Sequence, residues 1–238
     1  MVSRIGAILA AIALISLALS GPGTRWRWWD FRVGLLLFAA AGLFGLIAAI
    51  LGLAGRRGAL PGSSVARASG FAIAAGLGAL VLPAYGLITA RRVPSIHDIA
   101  TDVEDPPQFR AALTVRGDRS NPAPPQIDPD VVRQQRAAYP DLGSVLLRVP
   151  PEEALVRAAD VARSLRWHVL SVNTADGTVE ATATTAWFGF RDDVVIRVRP
   201  AEGGSRVDVR STSRVGRSDA GANAGRIRRF LRVLQSRR

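Results

Sequence analysis

The 238-residue sequence contains no cysteine, which excludes disulfide scaffolds, zinc–thiolate sites and cysteine nucleophiles. It has two histidines, His97 and His168, too few for a multi-histidine metal centre within one chain. Lysine is missing as well, so all 31 basic residues are arginine. Their distribution decides what the net charge of +12 means. Residues 1–90 carry seven arginines against Asp30 alone, residues 91–216 carry 17 arginines and 17 carboxylates, and residues 217–238 carry seven arginines against Asp219. The excess is therefore +6 at each end and zero between. Basic flanks of this kind are not the basic groove of a nucleic-acid reader, so nucleic acid is not an expected partner.

What is abundant is apolar residues, at 48%, a share that points to a membrane component. Val33 to Ala54 and Ala68 to Ala90 carry no charge over 22 and 23 residues, and about 20 suffice to cross the hydrocarbon core of a bilayer. Arginines flank both, and Trp26, Trp28 and Trp29 precede the first of them, where amphipathic rings favour the interface. Small residues along Gly70, Ala74 and Gly78 let helix backbones approach. An earlier apolar run, about 5–20, has two readings. It is a short uncleaved span ending at Gly21-Pro22-Gly23, or a signal peptide cleaved after Ser20; the uncleaved span is preferred. Counts of flanking arginines, four against five, leave the orientation open.

After residue 90 the character changes. Residues 91–130 are rich in proline and acid, and Pro106-Pro107 and Pro124-Pro125 dictate extended or turn backbone. Residues 131–238 form a domain, with 93–130 wrapping it. Its first helix covers Pro129 to Ala138, a strand covers Ser144 to Val149, and Pro150-Pro151-Glu152-Glu153 opens a second helix. Four strands are expected at about 167–174, 178–187, 193–200 and 205–214, with hairpin turns at Asp176-Gly177 and Gly203-Gly204. An amphipathic helix from about Ser218 to Gln235 ends the chain, with Ala224, Ile227, Leu231 and Leu234 on its apolar stripe. The expected fold class is α+β: N-terminal transmembrane helices, then a small domain with an antiparallel sheet and helices packed on one face, in the order β-α-β-β-β-β-α.

In the last two strands Val194, Ile196, Val198, Val207 and Val209 alternate with Arg197, Arg199, Arg206, Asp208 and Arg210. One face is core and the other a charged ladder. In strand 178–187 Val179, Ala181 and Ala183 share a face whose small side chains leave room for a helix or a ligand channel. Trp187, Phe188 and Phe190 around Gly189 then close the core or touch a ligand or membrane. Asp192 and Asp193 point to opposite faces and pair with Arg191, Arg214 or Arg217 rather than forming a catalytic dyad. Together Trp187, Phe188, Phe190, Asp192, Asp193, Arg214 and Arg217 are the binding candidates. His97, Asp98 and Asp102 are the alternative, catalytic one: a histidine, the residue type suited to proton transfer, beside acids able to orient it or to help hold a divalent cation. No resident metal or cofactor is expected. Ser218 or Asp219 caps the last helix. Its arginines form a basic patch suited to anionic headgroups.

IHDIATD at 96–102, PPQF at 106–109, YP at 139–140, VEATATTAWFGFRDDVVIRVRP at 179–200 and GSRVDVRSTSRVGRSDAGANAGRIRRFL at 204–231 resemble the bacterial family known as domain of unknown function 1499. Ala100 stands where the family pattern has Thr, and Arg166 where it has Gly. The resemblance implies a domain preceded by membrane helices and facing the periplasm, and it supplies no activity. A membrane-anchored binding or scaffold domain is the expected function, with the bilayer and a lipid or envelope protein as partners. A membrane-anchored hydrolase using His97 and Asp98 is the alternative.

Overall fold

The computed structural model describes residues 1–236 and divides into two compact units. The first comprises Met1–Thr89 together with Ala186–Gly189. Its helices are α1 (Val2–Arg25), α2 (Phe31–Arg56) and α3 (Ser64–Arg92), each long and apolar enough to cross a membrane. Their seams are made of the smallest side chains. Ala10, Ala13, Ala41, Ala48, Ala72 and Ala79 are fully buried, while Ile8, Leu36 and Val81 point outward. A Cβ on Gly45 would lie 2.5 Å from the carbonyl oxygen of Gly76, and one on Gly42 would lie 2.8 Å from Pro83. Without a hydrophobic drive between helices in lipid, such close approach is what holds them.

α1 does not stop at Gly21-Pro22-Gly23. It runs to Arg25 with Pro22 inside it. Losing one backbone hydrogen bond is a weaker signal than the need to satisfy every other one in an apolar surround. The helix ends in a paired closure instead, with the Trp28 N–H donating to the Gly23 carbonyl (2.8 Å) and the Arg27 N–H to that of Thr24 (3.1 Å). These two bonds define a Schellman motif. Asp30 then caps α2 by accepting from the Arg32 N–H at 3.0 Å.

The second unit comprises Ala90–Thr185 and Phe190–Arg238. Its strands are β1 (Asp98–Ala100), β2 (Val145–Leu147), β3 (His168–Asn173), β4 (Thr178–Thr184), β5 (Arg191–Ala201) and β6 (Gly204–Ser213). Its helices are α4 (Ala111–Val115), α5 (Pro129–Ala138), α6 (Pro151–Ser164) and α7 (Ala222–Ser236). The sheet runs β1-β6-β5-β4-β3, antiparallel throughout, with β2 also on β6. From β2 onward the order is β-α-β-β-β-β-α, and the fold is α+β. One face of the sheet buries Val179, Ala183, Val194, Ile196, Val198, Val207 and Val209 against Leu155 and Val161 of α6 and Ile227, Phe230 and Leu234 of α7. Ala154, Ala158 and Ala162 let α6 sit close, so the small-residue face of β4 meets a helix and not a channel.

Several boundaries differ from the sequence expectation, each for a local reason. The β5–β6 turn is Glu202-Gly203, because Ala201 pairs with Gly204. β4 stops at Thr184, where Thr185 and Phe190 close the loop through Thr185 N–H to Phe190 O (2.8 Å) and Phe190 N–H to Thr185 Oγ1 (2.9 Å). α7 starts at Ala222, since Ala220 and Gly221 have φ of 50° and 82°. Arg237 and Arg238 of the basic end lie outside the described residues. β1 is a strand through its pairing with β6, and α4 is a short helix where extended or turn backbone is expected.

Arg166 sits at a backbone position that favours glycine. It follows α6 with φ 61°, and its N–H and that of Trp167 close a second Schellman motif onto Arg163 and Ala162. Glycine is the residue that adopts this conformation freely. Arg166→Gly is expected to stabilise the domain by about 1 kcal/mol, read as a higher thermal midpoint of the detergent-solubilised chain. A lower midpoint would show that Arg166 makes contacts worth more than the strain.

Candidate functional site

The charged ladder of β5 and β6 is present, but it is covered. Phe109 and Ala112 pack on Val195, with Ala123 and Leu170 beside them, so the polar face lies under the segment that follows β1. Asp193, Asp208 and Arg210 are fully buried. Charges taken out of water must be paired and hydrogen-bonded, and these are. Arg210 grips Asp98 with both ends of its fork, Nε to Oδ1 at 3.0 Å and Nη2 to Oδ2 at 2.7 Å, and also donates to the Pro124 carbonyl. Arg116 and Arg214 converge on Asp193 at 2.7 Å each. Arg197, Arg199 and Arg206 share Asp102 and Asp208, with Asp105 adding a further carboxylate to the first two. The Glu180 carboxylate accepts from the Arg110, Ala111 and Ala112 N–H groups at 2.8–3.0 Å. It serves as the N-terminal cap of α4, supplied from a strand 70 positions away.

At the rim of this lattice lies a cleft of about 450 Å³. Thr101, Asp102, Val103 and Glu104 form one wall, Gln135, Arg136, Tyr139, Pro140 and Leu142 another, and Arg206 reaches in from β6. Gln135 ties the two walls together, donating to the Ala100 carbonyl (2.6 Å) and accepting from the Ala100 N–H (3.1 Å). Arg228 lies over the Tyr139 ring at 5.2 Å and is itself held by Asp141 at 2.6 Å. Burial pushes the Tyr139 hydroxyl above its ordinary pKa. Arg199 and Arg228 hold Asp105 and Asp141 below the usual carboxylate range. Glu104 and Arg136 pair with each other while staying largely exposed, with side chains 78% and 59% accessible.

The binding candidates do not form one site. Trp187 and Phe188 belong to the first unit, where Trp187 Nε1–H donates to Ser20 Oγ at 3.3 Å and Phe188 meets Phe38 edge-on at 5.5 Å. Phe190 anchors the loop through its N–H. Asp193 and Arg214 do come together, but Asp192 pairs with Arg226 at 2.5 Å, not with Arg191, Arg214 or Arg217. Asp192 faces the helix side of the sheet, and α7 brings Arg226 there. The exposed Arg217 contributes its backbone carbonyl to His97 Nδ1, at 3.4 Å.

The catalytic alternative does not assemble either. Both oxygens of Asp98 are on Arg210. Asp102 Oδ2 takes arginines while its Oδ1 accepts from the Asp105 N–H at 3.0 Å. Neither His97 nor Asp98 lines the cleft. Asp219 caps α7 by accepting from the Gly221 and Asn223 N–H groups (2.7 and 2.9 Å), and burial pushes its pKa up. Among the described residues no cluster of three or more His, Asp or Glu is arranged to hold a metal ion. Sequence reasoning missed Tyr139, Arg136 and Gln135 as wall residues, and Arg116 and Arg226 as partners. The IHDIATD and YP segments, with Asp102 among the catalytic candidates, were the available pointers to the cleft.

The lattice carries a direct consequence. Asp193→Asn leaves Arg116 and Arg214 buried without a counter-charge and is expected to lower stability by about 3–5 kcal/mol, seen as a large drop in thermal midpoint. Asp105→Asn removes a carboxylate that is 61% exposed and is expected to cost under about 1 kcal/mol. Similar effects from both would show that the covered face is wet.

The family model described as Protein of unknown function (DUF1499) matches residues 98–234, a span that includes every wall of the cleft and every ion pair of the lattice. No curated protein matches the chain. With more than half of its length matched, the chain belongs to the DUF1499 family, and it carries the family's domain behind three helices long and apolar enough to anchor it in a membrane.

Proposed function

We propose that this is a binding domain tethered to the bacterial inner membrane, with its α+β unit in the periplasm, that takes the anionic group of a lipid or envelope component in the Tyr139 cleft. The observation that carries the reading is the cleft itself. Its volume of about 450 Å³ falls within the range typical of small-molecule sites, roughly 300–1,000 Å³. Val103, Pro140, Leu142 and the Tyr139 ring supply apolar contact, and Arg136 and Arg206 supply the cationic donors. Planar guanidinium forks match carboxylate and phosphate oxygens. Arg136 is the adaptable one, because its partner Glu104 is exposed and an exposed pair is held weakly. Catalysis is not part of the reading: Asp102 is saturated by the lattice, and His97 stands outside the cleft.

The test uses the full chain in phosphatidylcholine nanodiscs, titrated with hexyl phosphate and with hexanol. Hexyl phosphate is expected to bind measurably better, and Arg136→Gln to weaken it about tenfold, as loss of a charge-assisted hydrogen bond does. Equal binding of the two probes, unchanged by Arg136→Gln, would remove the cleft from consideration. Alkaline phosphatase fused after Arg238 should be active in cells if the domain is periplasmic; an inactive fusion overturns that placement.

A further inference from the structure

The turn between α1 and α2 reads Arg25-Trp26-Arg27-Trp28-Trp29-Asp30-Phe31-Arg32, and its geometry is specific. Arg27 occupies the residue after the helix cap, with φ 61°, in the Schellman closure made by its own N–H and that of Trp28. That position is strained for an L-residue, and glycine escapes the strain. Arg27 and Arg32 are both exposed, Arg32 lies over the Phe31 ring at 5.7 Å, and among the described residues neither is ion-paired with a carboxylate. The one acid nearby, Asp30, turns its carboxylate to the Arg32 N–H.

The indoles form a packed cluster that is nonetheless open to the outside. Trp26 and Trp28 lie 5.1 Å apart and Trp28 and Trp29 6.0 Å apart, while Trp26 and Trp28 are 62% and 59% exposed. Water alone is a poor neighbour for such a surface. The 24 residues of α1 extend about 36 Å, against a hydrocarbon core of about 30 Å. A turn at the end of that helix emerges among the headgroups, where indoles settle and phosphates lie. The opposite end of α2 offers Arg56 and Arg57 with no tryptophan.

We propose that the α1–α2 turn is a binding site for the phosphate of anionic phospholipids, with Arg27 and Arg32 as the cationic contacts and the tryptophan cluster as the platform for glycerol and upper acyl chain. The site is separate from the Tyr139 cleft and does not depend on it. Three of the five tryptophans of the chain are in this turn, so its own fluorescence reports on it.

The experiment places the full chain in phosphatidylcholine nanodiscs doped with phosphatidylglycerol or phosphatidylcholine brominated high on the acyl chain, at equal mole fraction. Each arginine near a surface enriches anionic lipid about fivefold, so brominated phosphatidylglycerol should quench tryptophan emission at least twice as steeply. Arg27→Gly relieves the strained backbone and should leave the thermal midpoint unchanged or higher while reducing the excess quenching. R27G/R32Q should abolish the excess. R56Q/R57Q removes the same charge from the other end of α2 and should preserve it. Equal quenching by both lipids, or equal loss in R56Q/R57Q, would overturn the site.

Discussion

The domain depends on a set of charges that have been taken out of water. Asp98, Asp193, Asp208, Arg210 and Arg214 are all nearly inaccessible, and each is paired by geometry that a small displacement would ruin. Desolvation makes such pairs poor sources of net stability, since apolar residues of similar volume serve as well or better. What they supply here is register. Asp98 stands opposite Thr212 across the β1–β6 ladder, and its carboxylate meets Arg210 on the same face. Shifting β1 by one residue would turn Asp98 to the helix side and strand the Arg210 guanidinium, a penalty far larger than a three-residue strand could absorb.

The same constraint explains how an irregular segment is held. Residues 101–125 have little secondary structure of their own, yet Arg210 donates to the Pro107 and Pro124 carbonyls, Arg214 to that of Val115 and Arg116 to that of Asn121. Buried loop carbonyls need partners, and arginine, with five donors, meets a carboxylate and a carbonyl together. Glu180 does the complementary work, accepting from three backbone N–H groups of α4. A five-residue helix is not stable alone; its cap comes from the sheet beneath it.

How much of this was legible depends on the range of the interaction. The spans, the hairpins and the β-α-β-β-β-β-α order follow from local periodicity and turn chemistry, and the structure has them. The equality of 17 arginines and 17 carboxylates in residues 91–216 announced pairing without naming partners. Those are fixed by topology: Arg210 and Asp98 lie 112 positions apart, Arg116 and Asp193 77. β1 and α4 were not legible because neither has a pattern of its own. Pro22 misled because its effect on a helix depends on the solvent, and in lipid the backbone has no alternative partner. The aromatic tip at Trp187 read as core closure or contact, and no local feature could have shown that it belongs with Ser20 and Phe38.

Asp102 joins the lattice to the cleft. Its carboxylate is a wall residue, and it also receives Arg197, Arg199 and Arg206 at 3.2, 3.3 and 2.6 Å. Three cations on one acid leave Arg206 with competing attractions, to Asp102, to Asp208 and to whatever enters the cleft. An anion entering there would compete with both carboxylates for the Arg206 guanidinium, while Arg197 and Arg199 keep the two aspartates paired. Arg136 and Glu104 pair with each other outside the lattice and stay 59% and 78% exposed, so no buried charge depends on that pair. The proposed anion would therefore find an exposed, weakly held guanidinium at Arg136 and, at Arg206, one already positioned by two carboxylates.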